Sequence, residues 1–248
     1  MRLFDSSLLG VLTSRPEMRP GVPVLSGFLA AGKTTRMRNL MQSPHGLRVA
    51  IIVNDLNELN IDAALLDEVL PEAAANGIQA RVALGNGCMC CTIKDALGDA
   101  IVELATSGEF DHILIEGSGV AEPRPIADLF FAANAVGPRI EEVATLHALI
   151  TVVDAAAWLR SWQEQSTASP AGEGGYRPLF ALMVEQVECA DVILLNKVDL
   201  VTPGELGAVT VQVQGLNSRA QLFETEEARL APGVWPGPRR FDCVETRR

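Results

Sequence analysis

The stretch GFLAAGKT, residues 27–34, fits the pattern G-x-x-x-x-G-K-[ST] of a phosphate-binding loop, the P-loop. It follows an apolar run at 22–25 and precedes a predicted helix at 34–41. In that context, backbone N–H groups and the N-terminus of the helix point at phosphate oxygens. Lys33 is expected to reach the β- and γ-phosphates, and the Thr34 hydroxyl to bind Mg²⁺. The residues predicted to bind the phosphates are Gly27, Ala30, Ala31, Gly32, Lys33, Thr34 and Thr35.

Further apolar, β-branched runs follow along the chain and predict the strands of a parallel sheet. With the first, the runs cover residues 22–25, 48–53, 113–115, 148–153 and 192–195. Because they are apolar without alternation, both faces of the sheet should be covered by helices. The sequence therefore predicts an α/β fold of the P-loop NTPase type, with a mostly parallel central sheet between helices.

The tetrapeptide NKVD, residues 196–199, fits N-K-x-D, which reads a guanine base. Asn196 directly follows an apolar run, so we expect it at the carboxyl edge of the sheet, where ligands bind in open α/β folds. The Asp199 carboxylate can accept hydrogen bonds from guanine N1–H and N2–H₂, a match that adenine does not offer. Lys197 is expected to pack over the base or to brace the P-loop. With the P-loop, this motif predicts GTP and GDP as ligands.

A third part of the predicted nucleotide site is IEGSG, residues 115–119. An acid that ends an apolar strand is where Mg²⁺ is held, so Glu116 is expected to assist Thr34. Gly119 is placed to donate its N–H to the γ-phosphate and to sense its loss. The predicted catalytic residues are thus Lys33, Thr34, Glu116 and Gly119, acting by positioning and charge stabilisation. No glutamine follows Gly119 to orient a water, so intrinsic hydrolysis should be slow.

Three cysteines within four residues, Cys88, Cys90 and Cys91, predict a site for a soft metal ion. They precede a predicted helix, whose N-terminus lowers the pKa of thiols and favours the metal-binding thiolate. Three protein ligands leave one position of a tetrahedral ion open, whereas structural zinc sites are closed by four. The set therefore suggests metal exchange, with water, a carboxylate such as Glu58 or a client protein as fourth ligand. A redox pair and packing cysteines are the alternatives.

The composition narrows the classes of partner. The chain has 248 residues, 48% of them apolar, and a formal net charge of -11. This acidity disfavours a nucleic-acid partner, since such proteins carry a basic surface. No run reaches the ~18 apolar residues of a membrane span, and the start of the chain lacks the apolar core of a signal peptide. We therefore expect a cytoplasmic protein, with no membrane or nucleic-acid partner and with its five cysteines reduced.

Taken together, these residues resemble the CobW-type metallochaperone GTPases, a branch of the P-loop group. The resemblance covers about residues 21–225. The segments that carry it are SGFLAAGKTT (26–35), VNDLNELNID (53–62), NGCMCC (86–91), IEGSGVAEP (115–123) and LNSRA (216–220). Two positions depart from the family pattern, since Ala30 stands where Gly is usual and Ser218 where Pro is common.

The resemblance implies zinc as the metal and a client metalloprotein as the partner. It also implies that residues 216–220, here called the late segment, contact the base, including Asn217. Residues 53–62, which contain Glu58, would be the first switch. A nucleotide-dependent homodimer is a further partner hypothesis. The domains we expect are an N-terminal arm (1–20), the P-loop GTPase domain (21–225) and an irregular tail (226–248) in place of the family's usual C-terminal domain.

The sequence thus predicts a GTP-binding and GTP-hydrolysing metallochaperone that couples nucleotide state to transfer of a metal ion to a client. Two alternatives stay open. One is a nucleotide-binding regulatory scaffold with little hydrolysis, which the intact Lys33 and Thr34 disfavour. The other is a P-loop phosphotransferase acting on a small molecule, which the guanine motif disfavours.

Overall fold

In a computed structural model of the chain, residues 19–42, 47–54, 78–83, 92–132, 138–167 and 179–229 are described. The strands in these ranges are β1 (Gly21–Gly27), β2 (Val49–Asn54), β3 (Ile78–Ala83), β4 (His112–Gly117), β5 (Thr145–Asp154), β6 (Val192–Asn196) and β7 (Gln221–Thr225). The helices are α1 (Lys33–Gln42), α2 (Thr92–Thr106), α3 (Pro123–Leu129), α4 (Ile140–Val143), α5 (Ala155–Thr167), α6 (Leu179–Glu188) and α7 (Pro203–Leu216), with a 3₁₀ helix at Val198–Leu200. None of the helices described is both long and apolar enough to cross a membrane.

The described strands form one sheet in the order β3-β2-β4-β1-β5-β6-β7, and every neighbouring pair is parallel. β1, which leads into the P-loop, therefore lies in the centre between β4 and β5. The carboxyl ends meet at one edge, where Leu25 pairs with Glu116 and Asp154 pairs with Asn196. Since ligands of open α/β sheets bind at this edge, the topology brings the predicted motifs to the expected place.

Helices cover both faces of the sheet, as the central strands show, because alternate residues of those strands enter different core clusters. On β4, Ile113 and Ile115 pack with α2 residues such as Ile101. Leu114, between them, packs on the opposite face with Met37 of α1. The predicted α/β fold, with a parallel sheet between helices, is confirmed.

The five predicted strands correspond to β1, β2, β4, β5 and β6, the second beginning one residue later than predicted, while β3 and β7 escaped the sequence analysis. Both missed strands lie at the ends of the strand order. β7 reads QLFET and β3 reads IQARVA, so polar residues interrupt each apolar run. An end strand needs less apolar surface than a central one, which is why the pattern that identifies the central strands fails there.

At the amino edge of the sheet, an ion pair and backbone contacts fix the strand starts. Asp111, just before β4, pairs with Arg48, just before β2, with 2.9 Å between Oδ1 and Nη2. The other oxygen of Asp111 accepts the Arg48 backbone N–H at 2.9 Å. The side chains of the pair are 32% and 37% exposed, respectively. This edge is therefore joined by contacts near the solvent.

Candidate nucleotide site

The P-loop connects β1 to α1 at the centre of the carboxyl edge. Gly27 and Gly32 have φ angles of +138° and +113°, which favour glycine. A Cβ on Gly32 would lie 2.5 Å from Nδ2 of Asn196, and one on Gly27 would collide with the Val152 carbonyl oxygen. Ala30 also has a positive φ, 57°, although it carries a side chain. Both glycines are therefore required here by conformation and by space.

The residues predicted to hold Mg²⁺ come together beside the P-loop. Glu116 lies near the end of β4, adjacent to β1, and is 6% exposed. Thr34, in the first turn of α1, donates its hydroxyl to Oε1 of Glu116 at 3.3 Å. Hydroxyl and carboxylate oxygens are ligands that Mg²⁺ takes, so this pair fits that ion. The Lys33 ammonium donates to the Phe28 carbonyl at 3.2 Å and thus folds back onto the loop.

Asn196 joins the base motif to the P-loop. It ends β6 and is 2% exposed. Its Nδ2 donates to the Ala31 carbonyl at 2.8 Å. Its Oδ1 accepts the Ala228 backbone N–H at 2.7 Å and the Thr225 hydroxyl at 3.2 Å. One buried amide therefore ties together the P-loop, the end of β6 and the turn that follows β7.

Lys197 is held by an acid that the sequence analysis missed. Its backbone is left-handed, with φ 61°, and its Nζ lies 2.7 Å from Oδ2 of Asp154. The other oxygen of Asp154 accepts the Ala157 N–H at 2.8 Å at the start of α5. Asp154 ends β5 just as Asn196 ends β6. The sequence signal that could have identified Asp154 is therefore its position as a polar residue at the end of an apolar run.

The two residues predicted to meet the base are placed differently. Asp199 is exposed in the short 3₁₀ helix after β6. Asn217 is 8% exposed, and its amide donates to the carbonyls of Val187 and Ala190 at 2.9 and 2.8 Å. Its Oδ1 accepts the Ala220 N–H at 3.1 Å. The Asn217 side chain therefore braces the late segment from inside the protein.

Gly119 lies in a turn that runs from Ser118 to Ala121, closed by the Ala121 N–H donating to the Ser118 carbonyl at 2.9 Å. A Cβ on Gly119 would lie 2.9 Å from the backbone nitrogen of Leu29, so the turn packs directly on the P-loop. From the other side, the amide of Gln186 donates to the Ala121 carbonyl at 3.2 Å. Gln186 belongs to no nucleotide motif, and nothing in the sequence singled it out.

Burial changes the acidity of two residues in the described ranges. Arg36 follows the P-loop in α1, and burial lowers its pKa to about 10. Burial also raises the pKa of the Cys189 thiol, which Arg124 opposes only in part. Cys189 packs against the core cluster that contains α2, so it behaves as a packing residue.

The predicted ligands of the soft metal, Cys88, Cys90, Cys91 and Glu58, lie outside the described residues. α2 begins at Thr92, directly after the cysteines, as predicted. Within the described part of the chain, no three His, Cys, Asp or Glu side chains gather into a group suited to a metal.

Comparisons with known proteins show to which family the chain is related. Residues 21–224 match the family model described as CobW/HypB/UreG, nucleotide-binding domain. The zinc-regulated GTPase metalloprotein activator 1 of Dictyostelium discoideum is 36% identical over 214 residues, which cover 82% of this chain and 45% of the relative. The zinc chaperone CobW of Pseudomonas aeruginosa is 34% identical over 219 residues, which cover 84% and 57%. The chain thus spans about half the length of these curated relatives.

Among solved structures, the Zn(II)-bound YjiA GTPase of E. coli is similar in fold, with a TM-score of 0.54 and 24% identity. The alignment covers 83% of this chain and 57% of that one. FtsY of Thermotoga maritima aligns with a TM-score of 0.50 and 17% identity, over 86% of this chain and 64% of that one. These likenesses concern the fold.

Proposed function

Because the chain belongs to the CobW/HypB/UreG nucleotide-binding-domain family, we propose that it binds and slowly hydrolyses GTP and uses the nucleotide state to gate a metal ion. The metal is zinc, bound by Cys88, Cys90 and Cys91, and its destination is a client metalloprotein. Two relatives whose names refer to zinc support the choice of metal.

One observation carries the nucleotide half of this proposal. The Nδ2 of Asn196 donates to the Ala31 carbonyl at 2.8 Å, so the base motif and the P-loop are joined at one edge of the sheet. This contact supports the proposal that the phosphate-binding loop and the base motif serve one nucleotide. A phosphotransferase acting on a small molecule would have no need for the guanine motif there.

The residues of the site would divide the work of binding and hydrolysis. Lys33 and the backbone N–H groups of the P-loop would hold the β- and γ-phosphates, and Gly119 would donate its N–H to the γ-phosphate. Mg²⁺ held by Thr34 and Glu116 would neutralise phosphate charge. Attack of water on the γ-phosphorus yields GDP and phosphate, and without a glutamine after Gly119 to orient that water the step is slow.

Guanine selectivity would come from the exposed Asp199, which pairs with N1–H and N2–H₂. Asn217, whose own amide is engaged internally, would hold the late segment against the base, so that residues 218–220 make the contact. Losing a charged hydrogen bond costs about 1.5–3 kcal/mol, so discrimination against ATP should exceed about a hundredfold when both guanine groups are read.

Nucleotide titrations test this half of the proposal. The protein should bind GTP more than about a hundredfold more tightly than ATP. Asp199→Asn should lower the affinity for GTP and raise the affinity for xanthosine triphosphate. Slow phosphate release with excess GTP, abolished by Lys33→Ala, should accompany binding. Equal affinities for GTP and ATP would refute the base assignment, and binding without phosphate release would leave a nucleotide-reading scaffold.

Zinc competition with a chelator tests the metal half. If the two sites are coupled, a non-hydrolysable GTP analogue should shift zinc affinity by roughly 5- to 150-fold relative to GDP, and zinc should shift analogue affinity by the same factor. The triple change of Cys88, Cys90 and Cys91 to Ser should remove zinc binding, and Glu58→Ala should shrink the coupling factor. Equal zinc affinity in both nucleotide states would contradict the gating role, while zinc binding that survives the triple change would place the metal elsewhere.

A further inference from the structure

We propose that Gln186 of α6 is a positioning residue for the turn Ser118–Ala121, which it holds in the geometry that accepts the γ-phosphate. The proposal rests on the function proposed above, because it assumes that Gly119 reads that phosphate. Gln186 is 1% exposed, so its amide must find all its hydrogen bonds within the protein.

The side-chain amide of Gln186 binds two carbonyl groups of the turn. Its Nε2 donates to the Gly119 carbonyl at 3.4 Å and to the Ala121 carbonyl at 3.2 Å. Both partners are acceptors only, so the NH₂ group of the side chain must face them. The Ala121 N–H closes the turn by donating to the Ser118 carbonyl at 2.9 Å. The turn is thus bonded within itself and to α6.

The P-loop supports the turn from the other side. A Cβ on Gly119 would lie 2.9 Å from the Leu29 nitrogen and 3.0 Å from its Cα, which is closer than a side chain allows. Gly119 is therefore confined between the P-loop backbone and the Gln186 amide. Any outward movement of the turn must stretch or break the bonds to Gln186.

Gln186 is itself anchored through its backbone. The hydroxyl of Thr151, which is 2% exposed in β5, donates to the Gln186 carbonyl at 2.8 Å. The Thr151 oxygen also lies 3.4 Å from the hydroxyl of Ser26, the residue before the P-loop glycine Gly27. A buried polar chain therefore runs from the end of β1 through β5 to α6 and ends on the turn.

This arrangement predicts an effect that depends on the nucleotide. A turn already ordered by Gln186 loses no further conformational entropy when GTP binds, so its order adds to GTP affinity. GDP has no γ-phosphate and gains nothing from the order of Gly119. Removing the Gln186 amide should therefore lower the affinity for a GTP analogue about 5- to 10-fold, while the affinity for GDP changes less than about twofold.

The test compares Gln186→Met, which keeps the length of the side chain and removes the amide, with Thr151→Val in the full chain. Affinities for GDP and for a non-hydrolysable GTP analogue are measured by titration, together with thermal unfolding. Gln186→Met should lower the ratio of analogue to GDP affinity about 5- to 10-fold. Thr151→Val removes the backbone anchor of Gln186 but leaves its amide in place, so it should lower the unfolding temperature and lower the ratio less than Gln186→Met does.

A second variant, Gln186→Glu, covers the case in which Gln186→Met does not fold. The introduced carboxylate cannot donate to the two carbonyls, but when protonated it donates one bond, so the ratio should recover as pH falls. An unchanged ratio in both variants, or equal losses for the two nucleotides, would overturn the role of Gln186. A parent protein that binds neither guanine nucleotide would instead refute the proposed function itself.

Discussion

The two edges of this sheet are built by the same strands but differ in backbone conformation and in the burial of charge. At the carboxyl edge φ is positive at Gly27 and Gly32, and also at Ala30, Lys197, Glu227 and Ala228, where a side chain makes it strained. Charged groups are buried there, among them Lys33, Glu116 and Asp154. At the amino edge, the pair between Arg48 and Asp111 is about one-third exposed. Of the positive-φ residues in the described ranges, only Gly108 lies towards that edge.

This difference separates stability from function. Strained backbone and buried charge each cost free energy, and they persist where a ligand needs the geometry. Changes at the carboxyl edge should therefore alter stability and nucleotide affinity together, in either direction. Changes at the amino edge should alter stability alone.

The largest effect is expected for Gly32→Ala. The new Cβ would lie 2.5 Å from Nδ2 of Asn196, at a φ of +113°, so the P-loop and the base motif would be forced apart. We expect a loss of at least about 3 kcal/mol in the free energy of unfolding and no measurable GTP binding. Chemical denaturation and nucleotide titration measure both.

The matched control is Gly207→Ala in α7, where a Cβ meets no atom within 4 Å. It should stabilise the protein by about 0.5–1 kcal/mol through helix propensity and leave GTP binding intact. A Gly32→Ala protein with parental stability and affinity would show that the two motifs are not in contact as described.

The comparison of Asp154→Asn with Asp111→Asn tests the two edges directly. Asparagine can still cap α5, so the first change isolates the 2.7 Å pair with Lys197. We expect it to cost about 1–3 kcal/mol and to weaken GTP binding, because Lys197 loses its anchor beside the base motif. Asp111→Asn should lower the unfolding temperature with nucleotide affinity unchanged. If both variants reduce affinity alike, the proposed division between the edges is wrong.

Arg36→Leu should stabilise the protein. A basic group whose pKa is lowered by burial to about 10 opposes folding at every pH below 10, and this penalty is relieved only as pH rises through that value. At pH 7 the full penalty is present, so an apolar side chain of similar reach should add about 1 kcal/mol. Denaturation in urea at pH 7 checks this, and a loss of stability would show that the guanidinium is stabilised by a partner.

The smallest effect is expected for Ala30→Gly. A residue with a Cβ in the left-handed conformation costs about 1–2 kcal/mol of stability. Glycine avoids that cost, but its greater freedom in the unfolded chain lowers stability by about 0.5–1 kcal/mol. The net gain should lie between about 0 and 1.5 kcal/mol, with GTP affinity equal to or above that of the parent. Thermal unfolding with and without GTP measures it. A clear loss of stability would mean that the Ala30 methyl group makes packing contacts worth more than its backbone strain.

The sequence was sufficient to predict the central strands and the motif residues, because each is a local pattern. Val192–Asn196, for example, is an apolar run followed by a polar motif, and it forms a strand that ends at the carboxyl edge, as predicted. The end strands were missed because polar residues interrupt their short apolar runs. Their pairing depends on the neighbouring strand and not on their own composition.

Gln186 and the internal role of Asn217 left no local signal in the sequence, and the position of Asp154 at the end of an apolar run did not reveal its partner. Each acts through a partner far away in the chain: Asp154 through Lys197, and Gln186 through a turn about 65 residues earlier. Only the strand order brings these partners together. The positions that the P-loop and N-K-x-D patterns leave unmarked are thus the ones that hold the patterned residues in place.

The bond from Ala228 to Asn196 makes the turn after β7 a reporter of the nucleotide site. The Ala228 N–H is buried and donates to the side-chain amide of Asn196, which in turn donates to the Ala31 carbonyl. The neighbouring Glu227 carbonyl accepts from Asn39 of α1 at 2.7 Å, so the turn is fastened on two sides to the P-loop helix and the base motif. A ligand that tightens Ala31 against Asn196 should therefore slow exchange of the Ala228 amide hydrogen, which lies almost two hundred residues after Ala31 in the chain. Hydrogen exchange at the Ala228 N–H would thus report nucleotide binding without a label at the proposed site.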